Sequence, residues 1–128
     1  MTQLTNVLFL GMDAGDKHLI RKWTADGSLP VLNSLLSRGM VSDTISMDGF
    51  FVGSTWPSFY TGTTPARHGF YNLVQLNPGS YEFYRCTSSE LSRREPFWNY
   101  LSDAGCRVAV LDIPLAPLPK NLHGIHLV

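Results

Sequence analysis

The 128 residues carry ten basic and ten acidic side chains, a formal net charge of zero, and 44% of them are apolar. That is enough chain for a single core and one domain at most. Beyond the short pair Arg93 and Arg94 there is no Lys/Arg cluster. Tight binding to a nucleic-acid backbone needs a basic patch, so nucleic acid is excluded as a tightly held partner.

Cys86 and Cys106 stand far apart with no CxxC or Cys/His spacing. Neither a zinc finger nor a disulfide framework is indicated, and reduced structural thiols are expected. No basic leader precedes a long apolar stretch, so no signal peptide is expected. No apolar run reaches spanning length, so no membrane partner is expected either. The expectation is a soluble cytoplasmic protein.

In chain order, Val7 to Leu10 form a short continuous apolar run closed by Gly11. Such a run suits a strand buried on both faces of a parallel sheet. Next, Leu19, Ile20 and Trp23 share one helical face, with Asp16 placed to cap the helix and Gly27 to close it. Pro30 opens a second helix, striped by Val31, Leu32, Leu35 and Leu36 and stopped at Gly39. Met40 to Ser46 alternates weakly and reads as a strand.

Asp48 to Gly53 reads as a loop. Ser54 to Tyr60 then starts a helix with Pro57 in its first turn, and Thr61-Gly-Thr-Thr-Pro65 is a turn. Residues 72–89 form a surface excursion with one strand around Tyr81 to Tyr84. Pro96 begins a helix that turns Phe97, Trp98 and Leu101 inward and ends at Gly105. Arg107 to Ile113 is a buried strand, Pro114 to Pro119 a loop, and His123 to Val128 a last strand. Strands separated by helix-length crossovers predict an α/β fold, a mostly parallel sheet with flanking helices. The sheet is expected to be incomplete, with residues 1–128 as the N-terminal part of one domain.

Three places could carry chemistry. Asp13 follows the first apolar run, where open α/β sheets keep their active sites, and a carboxylate there can ligate a metal. It could equally be a turn or cap residue in Asp13-Ala-Gly-Asp16. Ser54 and Thr55 put hydroxyls at a helix start, where backbone N–H groups favour anionic charge and a hydroxyl can attack phosphorus. They could equally be helix caps. Arg67 and His68 could serve a phosphate, although one His in a Gly-bounded turn is usually structural.

The ordered set is more specific than its parts. It runs Phe9-Leu-Gly-Met-Asp13, Gly27-Ser-Leu-Pro30, Trp56-Pro-Ser-Phe-Tyr-Thr-Gly62, Pro65-Ala-Arg-His-Gly69, Pro96-Phe-Trp98 and Val110-Leu-Asp-Ile-Pro114. This resembles the N-terminal portion of type I phosphodiesterase/nucleotide pyrophosphatase proteins of the alkaline phosphatase superfamily, over nearly the whole chain. The resemblance implies an alkaline-phosphatase-like fold, a small phosphorylated substrate and a site of two divalent metals, usually zinc. It gives Asp13 the role of a metal ligand. It makes the nucleophile a Thr or Ser at the head of the helix that runs into the Thr-Gly turn. Counting back from Gly62 by the family's interval of about ten residues lands on Val52, which has no hydroxyl. Ser54 and Thr55 are the nearest hydroxyls.

The family's remaining metal ligands lie in its later half, so a C-terminal remainder or a partner chain is expected to supply them. The expected activity is metal-dependent hydrolysis of phosphate esters or diesters, with the chain alone inactive. One alternative is a catalytically inactive fragment or binding module on the same scaffold. Another is a sulfatase or phospho-group transferase. Ser54-Thr-Trp-Pro-Ser58 lacks the Arg of the usual sulfatase motif.

Overall fold

Asp16 sets the first helix of the structure, a computed structural model that describes residues 6–45, 53–88 and 94–127. The chain divides into two units, residues 1–45 and 46–128.

In the first unit, helix α1 spans Lys17–Ala25 and α2 spans Pro30–Arg38. The Asp16 carboxylate accepts the N–H groups of His18 at 2.8 Å and Leu19 at 2.9 Å, two donors that the first turn leaves without a helical partner. Those two bonds, Leu19 first, also hold the Asp16 carboxyl below its ordinary pKa. The chain leaves α1 through Gly27, whose φ of 85° is the left-handed conformation that ends many helices. Pro30 stands at the start of α2, where its missing N–H needs no partner. Asp43 reaches back to α1, 2.9 Å from Arg21 and 3.6 Å from Lys17.

The expected strand at Val7 to Leu10 is not formed. These residues have no ladder and are 54–88% exposed. Residues 40–45 are not a strand either, and Ser46 lies outside the described residues. An apolar run becomes a strand only when a neighbour takes up its backbone hydrogen bonds. Among the described residues, every paired strand lies between residues 74 and 127.

The second unit contains α3 (Thr55–Thr61), α4 (Pro65–His68), β1 (Val74–Leu76), β2 (Phe83–Arg85), α5 (Phe97–Asp103), β3 (Val108–Leu111) and β4 (Gly124–Leu127). Strands β1 and β2 pair antiparallel, with Gln75 opposite Tyr84. Strands β3 and β4 pair parallel, with Val110 opposite His126. The parallel character read from the sequence is therefore limited to one pair among the described residues, and the sheets have two strands each.

The core gathers Tyr60, Phe70, Cys86, Trp98, Val110 and Ala116. Helix α5 turns Trp98 and Ser102 inward, one turn apart, while Phe97 and Leu101 stay 41% and 43% exposed. The ring of Trp98 lies 5.1 Å from that of Tyr60. The Tyr60 hydroxyl donates to the Leu115 carbonyl at 2.8 Å, so α3 is tied to the loop that connects the two parallel strands. Burial pushes the pKa of that phenol up, which keeps it a donor.

Candidate functional site

Helix α3, its cap and the turn after it carry Ser54, Thr55, Ser58 and His68. Ser54 is the N-cap of α3 and is 4% exposed. Its backbone is already helical, at φ −82° and ψ −20°, and its side chain makes no capping hydrogen bond. Thr55 is the first residue of the helix and is exposed. The two hydroxyls expected at the helix start therefore stand at the N-cap and at the first helical position. Pro57 is buried in the first turn, where no N–H is missed. Val52 lies outside the described residues.

The residues from Pro57 to Phe70 are joined by local bonds. The Thr61 hydroxyl donates to the Pro57 carbonyl at 2.6 Å and lies 2.9 Å from the Thr63 hydroxyl. Gly62 ends α3 with φ 61°, and Gly69 ends α4 with φ 81°. Between them Pro65 opens α4, a single helical turn where the sequence suggests only a tight polar turn. The missed signal is Pro65 at the first helical position with Gly69 just past the last, the usual asymmetry of a short helix.

His68 sits at the end of that turn and is 1% exposed. Its Nδ1 accepts the Phe70 N–H at 3.1 Å, and its Nε2 lies 3.0 Å from the Ser58 hydroxyl. Both ring nitrogens are used, so this histidine is a satisfied core residue and not a metal ligand. Trp56 and Phe59 meet edge to face at 6.3 Å, and Phe59 and Phe97 at 5.8 Å, which joins α3 to α5.

Burial holds the pKa of His68 below its ordinary 6.5. The folded state therefore binds fewer protons here than the unfolded chain. The contribution of this group is complete above pH 6.5 and is lost as the pH falls from there through the lowered value. Stability should fall between pH 7 and pH 5 with a limiting slope of about 1.4 kcal/mol per pH unit from one proton, and the thermal midpoint should fall with it. Thermal melts of His68→Gln should show a flatter profile. His126, also lowered by burial, keeps part of the slope in the variant.

Asp13 belongs to the first unit and stands at a turn, not at the end of a strand. Gly15 N–H bonds the Met12 carbonyl at 3.3 Å, and Ala14 has φ 52°. The nearby Asp16 carboxylate is committed to the cap of α1. Among the described residues, no group of three His, Cys, Asp or Glu side chains gathers to hold an ion. Zinc takes three or four protein ligands, so the described residues do not by themselves make a zinc centre. No helix among them is long and apolar enough to cross a membrane.

The chain matches a family model described as type I phosphodiesterase / nucleotide pyrophosphatase over residues 7–121. No curated protein and no solved structure gives a significant match. The match spans both units and includes Asp13, Ser54, Thr55 and the whole segment from Trp56 to Gly69.

Proposed function

The chain belongs to the type I phosphodiesterase / nucleotide pyrophosphatase family, and on that premise we propose that it supplies the attacking hydroxyl, Thr55, of a phosphoester hydrolase. The observation that carries the choice is the contrast at the head of α3. Thr55 is exposed and Ser54 is 4% exposed. A nucleophile must meet phosphorus in line, so it has to be reachable.

The step is a displacement. The Thr55 oxygen forms a bond to phosphorus, the ester oxygen leaves with its electron pair, and the hydroxyl proton passes to solvent. Water then cleaves the phosphothreonine ester and regenerates the hydroxyl. Substrates are small phosphate esters or diesters.

Asp13 serves as one ligand of a divalent-metal centre, two zinc ions by the resemblance. The other ligands lie outside the described residues. In this reading, residues 1–128 are the N-terminal part of an alkaline-phosphatase-like domain, and a C-terminal remainder or partner chain completes the site. One carboxylate gives weak binding only. Zinc titrated into the chain alone should therefore give a weak calorimetric signal, and hydrolysis of bis(4-nitrophenyl) phosphate should be poor. Tight stoichiometric zinc, abolished by Asp13→Ala, would show that the chain holds a complete centre. Turnover by the completed protein, compared between Thr55→Val and Ser54→Ala, tests the nucleophile itself.

A further inference from the structure

We propose that His68, held as the neutral Nε2–H tautomer, is a positioning residue that fixes the first turn of α3, and with it Thr55, through Ser58. The proposal rests on the reading of Thr55 as the attacking hydroxyl. A Ser and a His 3.0 Å apart have the spacing of a nucleophile and its base. The second bond of the ring decides otherwise. Phe70 N–H can only donate, so the Nδ1 that receives it carries no proton. The neutral ring then holds its proton on Nε2, which donates to the Ser58 oxygen. A histidine that gives its proton to a serine cannot take the serine's proton. The polarity is that of a brace.

The brace acts on a short helix. A helix of seven residues does not hold itself in place, and its cap residue makes no side-chain bond to the first turn. Side-chain bonds tie α3 to other segments along its length, two of them central here. Tyr60 to Leu115 holds the later half, and Ser58 to His68 holds the half that begins with Thr55. Ser58 and Thr55 are three residues apart, one turn of the same helix. His68 is itself immobile, being 1% exposed and bonded on both nitrogens. Loss of the Ser58 bond therefore loosens the hold on the Thr55 turn while Tyr60 still anchors the other end.

The test uses the ¹⁵N-labelled chain with Ser58→Ala, Ser58→Thr and Thr55→Val. Imidazole nitrogen spectra of the unsubstituted chain should show His68 protonated on Nε2 and bare on Nδ1. A protonated Nδ1, or a mixture of tautomers, overturns the proposal without any variant. Ser58→Ala should shift the Thr55 amide and methyl resonances and speed amide exchange at residues 58 and 59 at least tenfold relative to Val110 in β3. Ser58→Thr, which keeps the acceptor, should restore both. Equal acceleration in α3 and β3 would mean that the pair only adds stability, and no change in α3 would mean that it fixes nothing; either result overturns the proposal. Thr55→Val should leave the tautomer and the exchange rates as they are. Its turnover in the completed protein judges the nucleophile reading alone.

Discussion

Replacing Thr55 with Val lowers phosphodiester turnover in the completed protein by roughly three orders of magnitude or more, while the melting temperature moves by a few degrees at most. The expectation follows from what each role would cost. A hydroxyl that forms the bond to phosphorus has no substitute when it is removed, so the loss falls on kcat. A hydroxyl that only caps a helix costs about 1 kcal/mol of stability and leaves chemistry alone. At the head of α3, Ser54 holds the cap position and makes no capping bond. Ser54→Ala is the matched comparison. It should keep turnover within a few fold and, because Ser54 is 4% exposed, show its effect on stability. The reverse pattern, with turnover lost in Ser54→Ala and kept in Thr55→Val, would transfer the role to the buried residue.

The largest stability effect is expected at Gly124. A methyl group there would overlap the Val108 carbonyl, backbone that cannot step aside. Gly124 pairs with Val108 at the start of the parallel ladder, and Val108 N–H bonds the neighbouring His123 carbonyl at 3.0 Å. Gly124→Ala must therefore push β4 away from β3 or leave the mutant strand unpaired. Overpacking of a core costs about 1–3 kcal/mol, and a clash with backbone belongs at or above the top of that range. For a unit of this size that corresponds to a melting temperature lower by roughly 10 °C or more. Gly62→Ala provides the contrast. Its added methyl meets nothing within 4 Å, so only the left-handed backbone, φ 61°, resists it. About 1–2 kcal/mol is expected there. Melts of the two variants side by side separate the clash from the backbone preference; equal losses would mean that the β3–β4 contact is looser than it stands here.

The helices were legible because their signals are local. Asp16, Gly27, Pro30 and Gly39 fix the ends of α1 and α2 through backbone chemistry within a few residues. Pro96 and Gly105 do the same around α5. The strands at Val108–Leu111 and Gly124–Leu127 were legible in the sequence, and their parallel pairing follows the expected α/β pattern. The apolar run at Val7 to Leu10 carries the same signal and forms no ladder. Pairing is a property of two segments, and a run states only half of it. Strand β1 was missed for the opposite reason: Val74–Leu76 is too short to show alternation, and β2 makes it a strand.

At the site, the hydroxyls at the head of α3 were visible as residue types, but which of them faces solvent was not. Exposure separates Ser54 from Thr55, and exposure is set by packing. The Ser58–His68 bond spans ten residues and needs Gly62, α4 and Gly69 to turn the chain back on itself. Once that turn exists, the Phe70 N–H fixes the ring's polarity, which no spacing rule contains.

The central claim is that a phosphoester is opened by the oxygen of Thr55. It is tested most directly by rapid acid quench of the completed protein during turnover of bis(4-nitrophenyl) phosphate, followed by mass spectrometry of the peptide that contains residues 54–58. The account predicts a phosphoryl adduct on Thr55 that disappears in Thr55→Val together with turnover. An adduct on Ser54, or undiminished turnover in Thr55→Val, would contradict it.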